Sequence, residues 1–307
     1  MNRHIRLLAI IAVAICAWMP LSGADFTAAT YNLRNANQSD AKAGNGWSQR
    51  MPWVAGMVRF HGFDIFGTQE CFRHQLDSLS AHLPGYAWTG RGRDDGKTAG
   101  EHSAIFYRTD MFELLDSGDF WLSEHPDQPG LGWDAVCPRI CSWGKFRHKP
   151  SGKEFMFANL HMDHVGITAR REGARLVKQR LHEIAADLPA IVTGDFNVDQ
   201  HSDSYATMTA NGEMLDSYEI ASIRFVPNGT YNAFLTDGYT PSRIDHIFVS
   251  PGIKVEKYGV LTDTYRSFEK DPTASRQGDS PEEVKIKNVI PRTPSDHFPV
   301  MVAIDLP

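Results

Sequence analysis

The residues with the clearest chemical use lie in Thr193-Gly194-Asp195-Phe196-Asn197. An apolar run, Leu188 to Val192, leads into them and reads as a buried strand ending in a sharp turn. Asp195 and Asn197 are two residues apart, so in extended backbone their side chains face the same way. A carboxylate accepts a proton or binds a cation, and an amide nitrogen donates to an oxyanion. At one strand end, the two suit attack by water on phosphorus. Other apolar strands carry polar groups they do not need: Asn32, Glu70 and His161 with Asp163 follow theirs, Asp245 lies beside or within one in Arg243-Ile244-Asp245-His246-Ile247, and Asp296-His297 opens the last. One such residue is ordinarily a solvated strand end. The whole set, with carboxylates beside apolar strands, calls for partners or a metal.

The elements that must position these groups follow from periodicity. Phe26, Ala28 and Thr30 alternate against Thr27, Ala29 and Tyr31, which predicts a strand running into Asn32. Trp47 to Phe60 predicts a helix with Val54, Met57 and Val58 on one face, then Phe63 to Gly67 a short buried strand. Phe72 to Leu83 predicts a second helix, stopped by Pro84-Gly85. Strands are predicted at Tyr86–Thr89, Ser103–Arg108, Phe112–Leu115, Arg139–Arg147 and Glu154–Leu160, with an irregular Pro-, Gly- and Trp-rich stretch from Asp116 to Cys137. The clearest helix is Ile167 to Asp187, with Ala174, Val177, Leu181 and Ile184 at three- and four-residue steps. Ile244–Val249 and Ile253–Leu261 predict a hairpin joined at Ser250-Pro251-Gly252. Asp263 to Pro291 reads as a surface excursion, and a final strand begins near His297. With no repeat and no composition break, residues 25–307 read as one α/β domain.

The formal charge of -6 gives no general field for gripping a polyanion, so a dedicated nucleic-acid binder is disfavoured. Arg3 and Arg6 precede the apolar run Leu7 to Trp18, and small residues follow at Ser22-Gly23-Ala24. This pattern predicts a cleavable signal peptide over residues 1–24, hence a periplasmic or secreted protein without stable membrane association after cleavage. Cys16 would leave with the signal. Cys71, Cys137 and Cys141 remain, and either Cys137 and Cys141 close a small loop disulfide or all three are buried thiols, the second being preferred.

In order along the chain stand Tyr31-Asn32-Leu33-Arg34, Gly67-Thr68-Gln69-Glu70, Gly100-Glu101-His102, Asn159-Leu160-His161, Gly194-Asp195-Phe196-Asn197, Arg243-Ile244-Asp245-His246 and Ser295-Asp296-His297. The set resembles the endonuclease/exonuclease/phosphatase family. Phe120-Trp121-Leu122-Ser123-Glu124 and Cys137-Pro138-Arg139-Ile140-Cys141-Ser142-Trp143 further resemble an exported bacterial subgroup of it. The resemblance implies a four-layer α/β/β/α sandwich of two packed mixed sheets, with the site where strand ends converge. It implies Mg²⁺ (Mn²⁺ or Ca²⁺ as substitutes) held by Glu70, Asn32 and Asp296. It gives Asp195 to the attacking water, Asn197 and His161 to the phosphoryl oxygens, and His297 paired with Asp245 as the other candidate base. Glu101 is expected to support His161.

Asp163 and His164 either contact metal or substrate or cap the loop before the Ile167 helix. Trp47 and Arg50 are weaker candidates for the pocket wall, with core tryptophan and surface arginine preferred. Arg91, Arg93 and Lys97 flank a turn and read either as holding a phosphate or acidic substrate or as solvated loop charge, the second being preferred, and Arg139 as a phosphate ligand or the partner of a buried acid. The expected activity is hydrolysis of a small or carbohydrate-linked phosphate ester by direct water attack, in a monomer. A secreted nuclease is the alternative, and a non-catalytic binding module the lesser one.

Overall fold

The computed structural model describes residues 24–185, 187–268, 274–275, 278–287 and 289–307. The expected signal peptide lies outside the described residues, apart from Ala24. Two large sheets carry the architecture. The first has seven strands in the spatial order Ile223–Phe225, Lys254–Val260, Val300–Asp305, Phe26–Asn32, Ile65–Gln69, Ile105–Arg108 and Tyr86–Thr89. The second has six, in the order Phe112–Trp121, Ile140–His148, Glu154–His161, Ala190–Asp195, Asp245–Val249 and Leu215–Asp216. Both are mixed: Phe26–Asn32 runs parallel to Ile65–Gln69, and Glu154–His161 parallel to Ala190–Asp195.

Three buried apolar clusters mark the interfaces of four layers. Phe26, Ile65 and Val302 from the first sheet meet Phe155, Phe157, Ile191 and Ile247 from the second. Ala29, Tyr31 and Phe66, on the opposite face of the first sheet, pack on Val54 and Val58 of the helix Trp47–His61 and on Leu76 and Leu79 of the helix Arg73–His82. Ala158, Leu160 and Val192, on the outer face of the second sheet, pack on Ala174, Val177 and Leu181 of the helix Ile167–Ala185. The period-two alternation thus feeds two cores, because both faces of each central strand are covered. This is the expected α/β/β/α sandwich.

Between the sheets a polar tie replaces apolar packing. Asn159 donates its amide to the carbonyls of Thr68 (2.9 Å) and Ala104 (3.1 Å) and accepts from Gln69 Nε2 (2.7 Å) and Thr193 Oγ1 (3.1 Å). Gly67 makes room for it: a Cβ there would lie 2.1 Å from Asn159 Oδ1.

Two expectations are corrected. The predicted hairpin does not form. Asp245–Val249 pairs with Ala190–Asp195 in one sheet, whereas Lys254–Val260 pairs with Val300–Asp305 in the other. Ser250-Pro251-Gly252 is a corner between sheets, and Ile247, Val249, Ile253 and Val255 all enter the core it encloses. The strand from Phe112 also continues to Trp121, through a register shift between Leu114 and Asp116. The three described cysteines are free thiols. Cys141 is buried against the helix side of its sheet, and Cys137 lies in the loop before it.

Candidate active site

Strand register assembles the site. His161 is the cross-strand partner of Asp195, and Asp195 is the partner of Asp245, so three neighbouring strands of the second sheet set these side chains in one row. His297 precedes the strand Val300–Asp305 of the first sheet and reaches the row from across the sandwich. Its Nδ1 donates to Asp245 Oδ2 at 2.8 Å, and its Nε2 lies 3.8 Å from Asp195 Oδ2. Asp195 Oδ2 accepts from Asn32 Nδ2 at 2.9 Å, and its Oδ1 accepts from the Asn197 backbone at 2.9 Å. All these groups are buried or nearly so and line, or lie directly behind, a cleft of about 410 Å³.

Burial sets the electrostatics. Asp195 has its carboxyl pushed up to about 7, first by burial and then by the neighbouring Asp245 charge. Burial would make His297 less basic, but the carboxylates of Asp245 and Asp195 win and hold it well above the ordinary imidazole range. His161 goes the other way, through burial and then the charges of Arg139 and Arg93. It is therefore neutral. Asn197 Nδ2 donates to His161 Nε2 (3.0 Å) and to the Met162 carbonyl (2.9 Å), which leaves the proton on His161 Nδ1. That Nδ1 has no partner among the described residues.

Glu70 and Asp296 form the acidic side. Both line the cleft, and Arg34 Nη1 sits between them, 4.0 Å from Glu70 Oε2 and 3.6 Å from Asp296 Oδ2. Two carboxylates facing one cation are a hard oxygen donor set of the kind Mg²⁺ takes. The residues therefore fit a divalent ion. Asn32 differs from expectation: its amide nitrogen, not its oxygen, points at Glu70 Oε1 (3.1 Å), and its oxygen accepts from the Arg34 backbone (2.9 Å). In this geometry it orients Glu70 and Asp195 rather than offering an oxygen ligand. Arg34, Glu70 and Asn197 all hold left-handed backbone, with φ of 56°, 66° and 50°. Non-glycine residues adopt it at a cost, and it is concentrated where side chains must be aimed.

Several expected residues hold partners other than those expected. Glu101 makes no hydrogen bond to His161; it pairs with Arg93 Nη1 at 2.5 Å and accepts from Asn35 Nδ2 at 3.3 Å. The loop from Arg91 to His102 folds back on itself and carries the carboxylate to Arg93 first. Trp47 and Arg50 do not line the cleft. Trp47 donates to Ser78 Oγ (2.8 Å), and the fully buried Arg50 donates to the carbonyls of Asn45 (2.7 Å), Leu33 (3.0 Å), Arg34 (3.3 Å) and Pro294 (2.7 Å). Arg50 is thus an internal brace for the segments bearing Asn32 and Asp296. Asp163 is also behind the wall: it accepts from the backbones of Gly166 (2.7 Å) and Val165 (3.0 Å) and from Arg139 Nε (3.3 Å). Burial would raise its carboxyl, but these donors hold it down at about 2. Arg139 and His164 do line the cleft, with Arg139 Nη2 donating to His164 Nδ1 at 3.0 Å. Sequence reasoning gave no role to Arg34, Asn35 or Tyr231. Tyr231 stands at the cleft mouth, edge-on to His297 with ring centroids 5.1 Å apart. Only the position of Arg34 and Asn35 directly after Tyr31-Asn32-Leu33 signalled them.

A carboxylate row, two imidazoles of opposite charge preference and an acidic pair, all at the open ends of two packed mixed sheets, define the class as a phosphate-ester hydrolase fold. The chain belongs to the endonuclease/exonuclease/phosphatase family, whose model matches residues 29–297. It is similar to the structure of a mannosyl-6-phosphatase from Bacteroides thetaiotaomicron VPI-5482, with 56% identity and a TM-score of 0.84 over 91% of this chain and 99% of that one. A second similar structure is an endonuclease/exonuclease/phosphatase from Bacteroides vulgatus, with 38% identity and a TM-score of 0.78 over 92% of this chain and 99% of that one. Among curated proteins it resembles the uncharacterized protein L388 of Acanthamoeba polyphaga mimivirus, 26% identical over 50% of this chain and 60% of that protein.

Proposed function

We propose that this chain is an exported, divalent-metal-dependent phosphatase that transfers the phosphoryl group of a sugar phosphate to water. The observation that carries the reading is the buried Asp195–His297–Asp245 row facing Glu70 and Asp296 across one cleft. The mannosyl-6-phosphatase relative, similar over nearly its whole length, supports a phosphomonoester of a sugar as the substrate.

Glu70 and Asp296 would hold the ion, which would supply positive charge to the phosphoryl and leaving oxygens. Asp195, with its carboxyl at about 7, sits where a modest proton affinity is useful, and takes the proton of the attacking water. Asn32 and the Asn197 backbone fix its two oxygens, so the basic lone pair has one direction. His297 stays cationic beside Asp245 and presents Nε2 next to Asp195, where it stabilises charge growing on the phosphoryl oxygens. Asn197 and neutral His161 close that side. The new P–O bond from water forms as the P–O bond to the sugar oxygen breaks, with no covalent enzyme intermediate.

The test compares release of inorganic phosphate from mannose 6-phosphate and other hexose phosphates with release of nitrophenol from bis-nitrophenyl phosphate and nicking of plasmid DNA, each with Mg²⁺, Mn²⁺, Ca²⁺ or chelator. Phosphate from sugar monoesters with Mg²⁺ is expected. Nicking of plasmid without sugar-phosphate turnover would replace the reading by a nuclease. Export is tested by N-terminal sequencing of protein recovered outside the cytoplasm, which should begin at Asp25.

A further inference from the structure

Beside the catalytic row, Arg93 and Glu101 form a largely buried charged pair with no direct part in the reaction; Arg93 bears on it only through its charge near His161. We infer that Arg93 and Glu101, with Asn35, form the subsite that reads the hydroxyls of the sugar leaving group. The inference rests on the phosphatase reading and names what that site recognises.

Arg93 and Glu101 line the same cleft as Asp195 and His297. Their side chains are only 15% and 14% exposed, and they meet at 2.5 Å. A carboxylate has about four acceptor positions. Glu101 uses one on Arg93 Nη1 and one on Asn35 Nδ2, leaving capacity. Arg93 Nε has no hydrogen-bond partner among the described residues, and its nearest charge beyond Glu101 is Asp94 Oδ1 at 3.9 Å. An ion pair out of water is costly and contributes little net stability, so its place at a cleft wall points to a ligand.

The wall is built in advance. Arg93 N donates to the Glu101 carbonyl at 3.0 Å, and Trp121 Nε1 donates to the Arg93 carbonyl at 2.7 Å. Gly100, at φ +80°, turns the chain where a Cβ would lie 2.4 Å from Asp94 Cγ. Trp121 belongs to the Phe-Trp-Leu-Ser-Glu stretch singled out in the sequence, and the reaction itself does not use it.

The chemistry selects the ligand. A hydroxyl donates and accepts at once, so a vicinal diol satisfies a carboxylate and a guanidinium side by side. A second phosphate would be repelled by Glu101, and an apolar alcohol would leave both groups unpaired, which is strongly disfavoured. The phosphoryl end therefore lies toward Asn197 and His297, and the ring toward Arg93 and Glu101.

The experiment compares kcat/KM for mannose 6-phosphate with that for p-nitrophenyl phosphate, whose leaving group has no further hydroxyl, in wild type, Glu101→Gln and Arg93→Lys. The ratio of the two should fall by about tenfold or more in both variants, and inhibition by free mannose should weaken in parallel. Equal losses on both substrates, leaving the ratio within about twofold, would overturn the assignment and return Glu101 to a role behind His161. Should either variant fail to fold by circular dichroism, Glu101→Asp or Arg93→Gln carries the same comparison, with the same ratio deciding. A wild type that turns over nitrophenyl phosphate but no sugar phosphate removes the subsite while leaving the phosphatase. A wild type that turns over neither removes both.

Discussion

Replacing Asp245 by Asn tests the electrostatic core of the mechanism. Asp245 Oδ2 is 2.8 Å from His297 Nδ1, and both side chains are almost fully buried. Two unit charges at that distance attract by about 6 kcal/mol at an effective dielectric of 20. Asparagine keeps an oxygen for Nδ1–H and part of the dipole, and the surroundings relax. The loss is therefore about 3–4 kcal/mol, the lower part of the cost of breaking a buried ion pair. The His297 pKa should fall back toward the ordinary imidazole range, because the largest charge holding it up is gone. If the imidazolium stabilises the transition state, kcat should fall by about 10²–10³. The assay is a pH–rate profile with p-nitrophenyl phosphate and saturating Mg²⁺, alongside a nuclear magnetic resonance titration of the His297 ring. A variant that keeps kcat within about threefold, or a His297 pKa that does not move, would refute the claim that Asp245 holds His297 cationic.

The remaining predictions concern pH, metal and packing. In the native state Asp195 binds its proton up to about pH 7, whereas an unfolded carboxyl releases it near 4, so this group favours the metal-free fold at acid pH. Its contribution is lost as pH rises through about 7, and His297, raised for its own reasons, acts in the same direction. Asp296, one of the two residues that would hold the ion, also has its carboxyl raised by burial, so added Mg²⁺ should raise the thermal midpoint more at pH 8 than at pH 5; an equal gain at both would contradict the buried-carboxylate reading. Kcat/KM should climb with pH through about 7 as Asp195 ionises, and a profile flat from pH 5 to 8 would exclude it as the base. Arg34→Ala removes the cation between Glu70 and Asp296, so metal-free protein should lose about 1–2 kcal/mol and regain more from Mg²⁺ than wild type does, read by thermal shift. Gly67→Ala drives a methyl into Asn159 and should cost about 3 kcal/mol or abolish soluble protein; a midpoint equal to wild type would mean that the sheets part easily there.

How far the sequence reaches differs between elements. The helix Ile167–Ala185 was readable in full, since Ala174, Val177 and Leu181 repeat at the helical period and occupy the core as that period requires. The strand Asp245–Val249 was readable as a strand, but its partner was not. Periodicity reports which face is buried and says nothing about which sheet buries it, and Pro251-Gly252 turns a hairpin and a sheet-to-sheet corner equally well. Glu101 shows a related limit: its hydrogen-bond partner is decided by the loop that brings Arg93 within 2.5 Å, which no local pattern reports.

By itself the sequence determined the kinds of groups at the strand ends: Asn32, Glu70, His161, Asp195, Asp245, Asp296 and His297, in an order that resembles one family. Local pattern was enough because each motif lies at one end of an apolar strand, and strand ends are where polar side chains can stay near water. Tertiary structure alone decided their roles. Register set His161, Asp195 and Asp245 in a row, sheet packing brought His297 onto Asp245, and burial then made one histidine neutral and the other cationic. A side chain's charge depends on its distance to other charges and on the water removed around it, and both quantities exist only once the chain is folded.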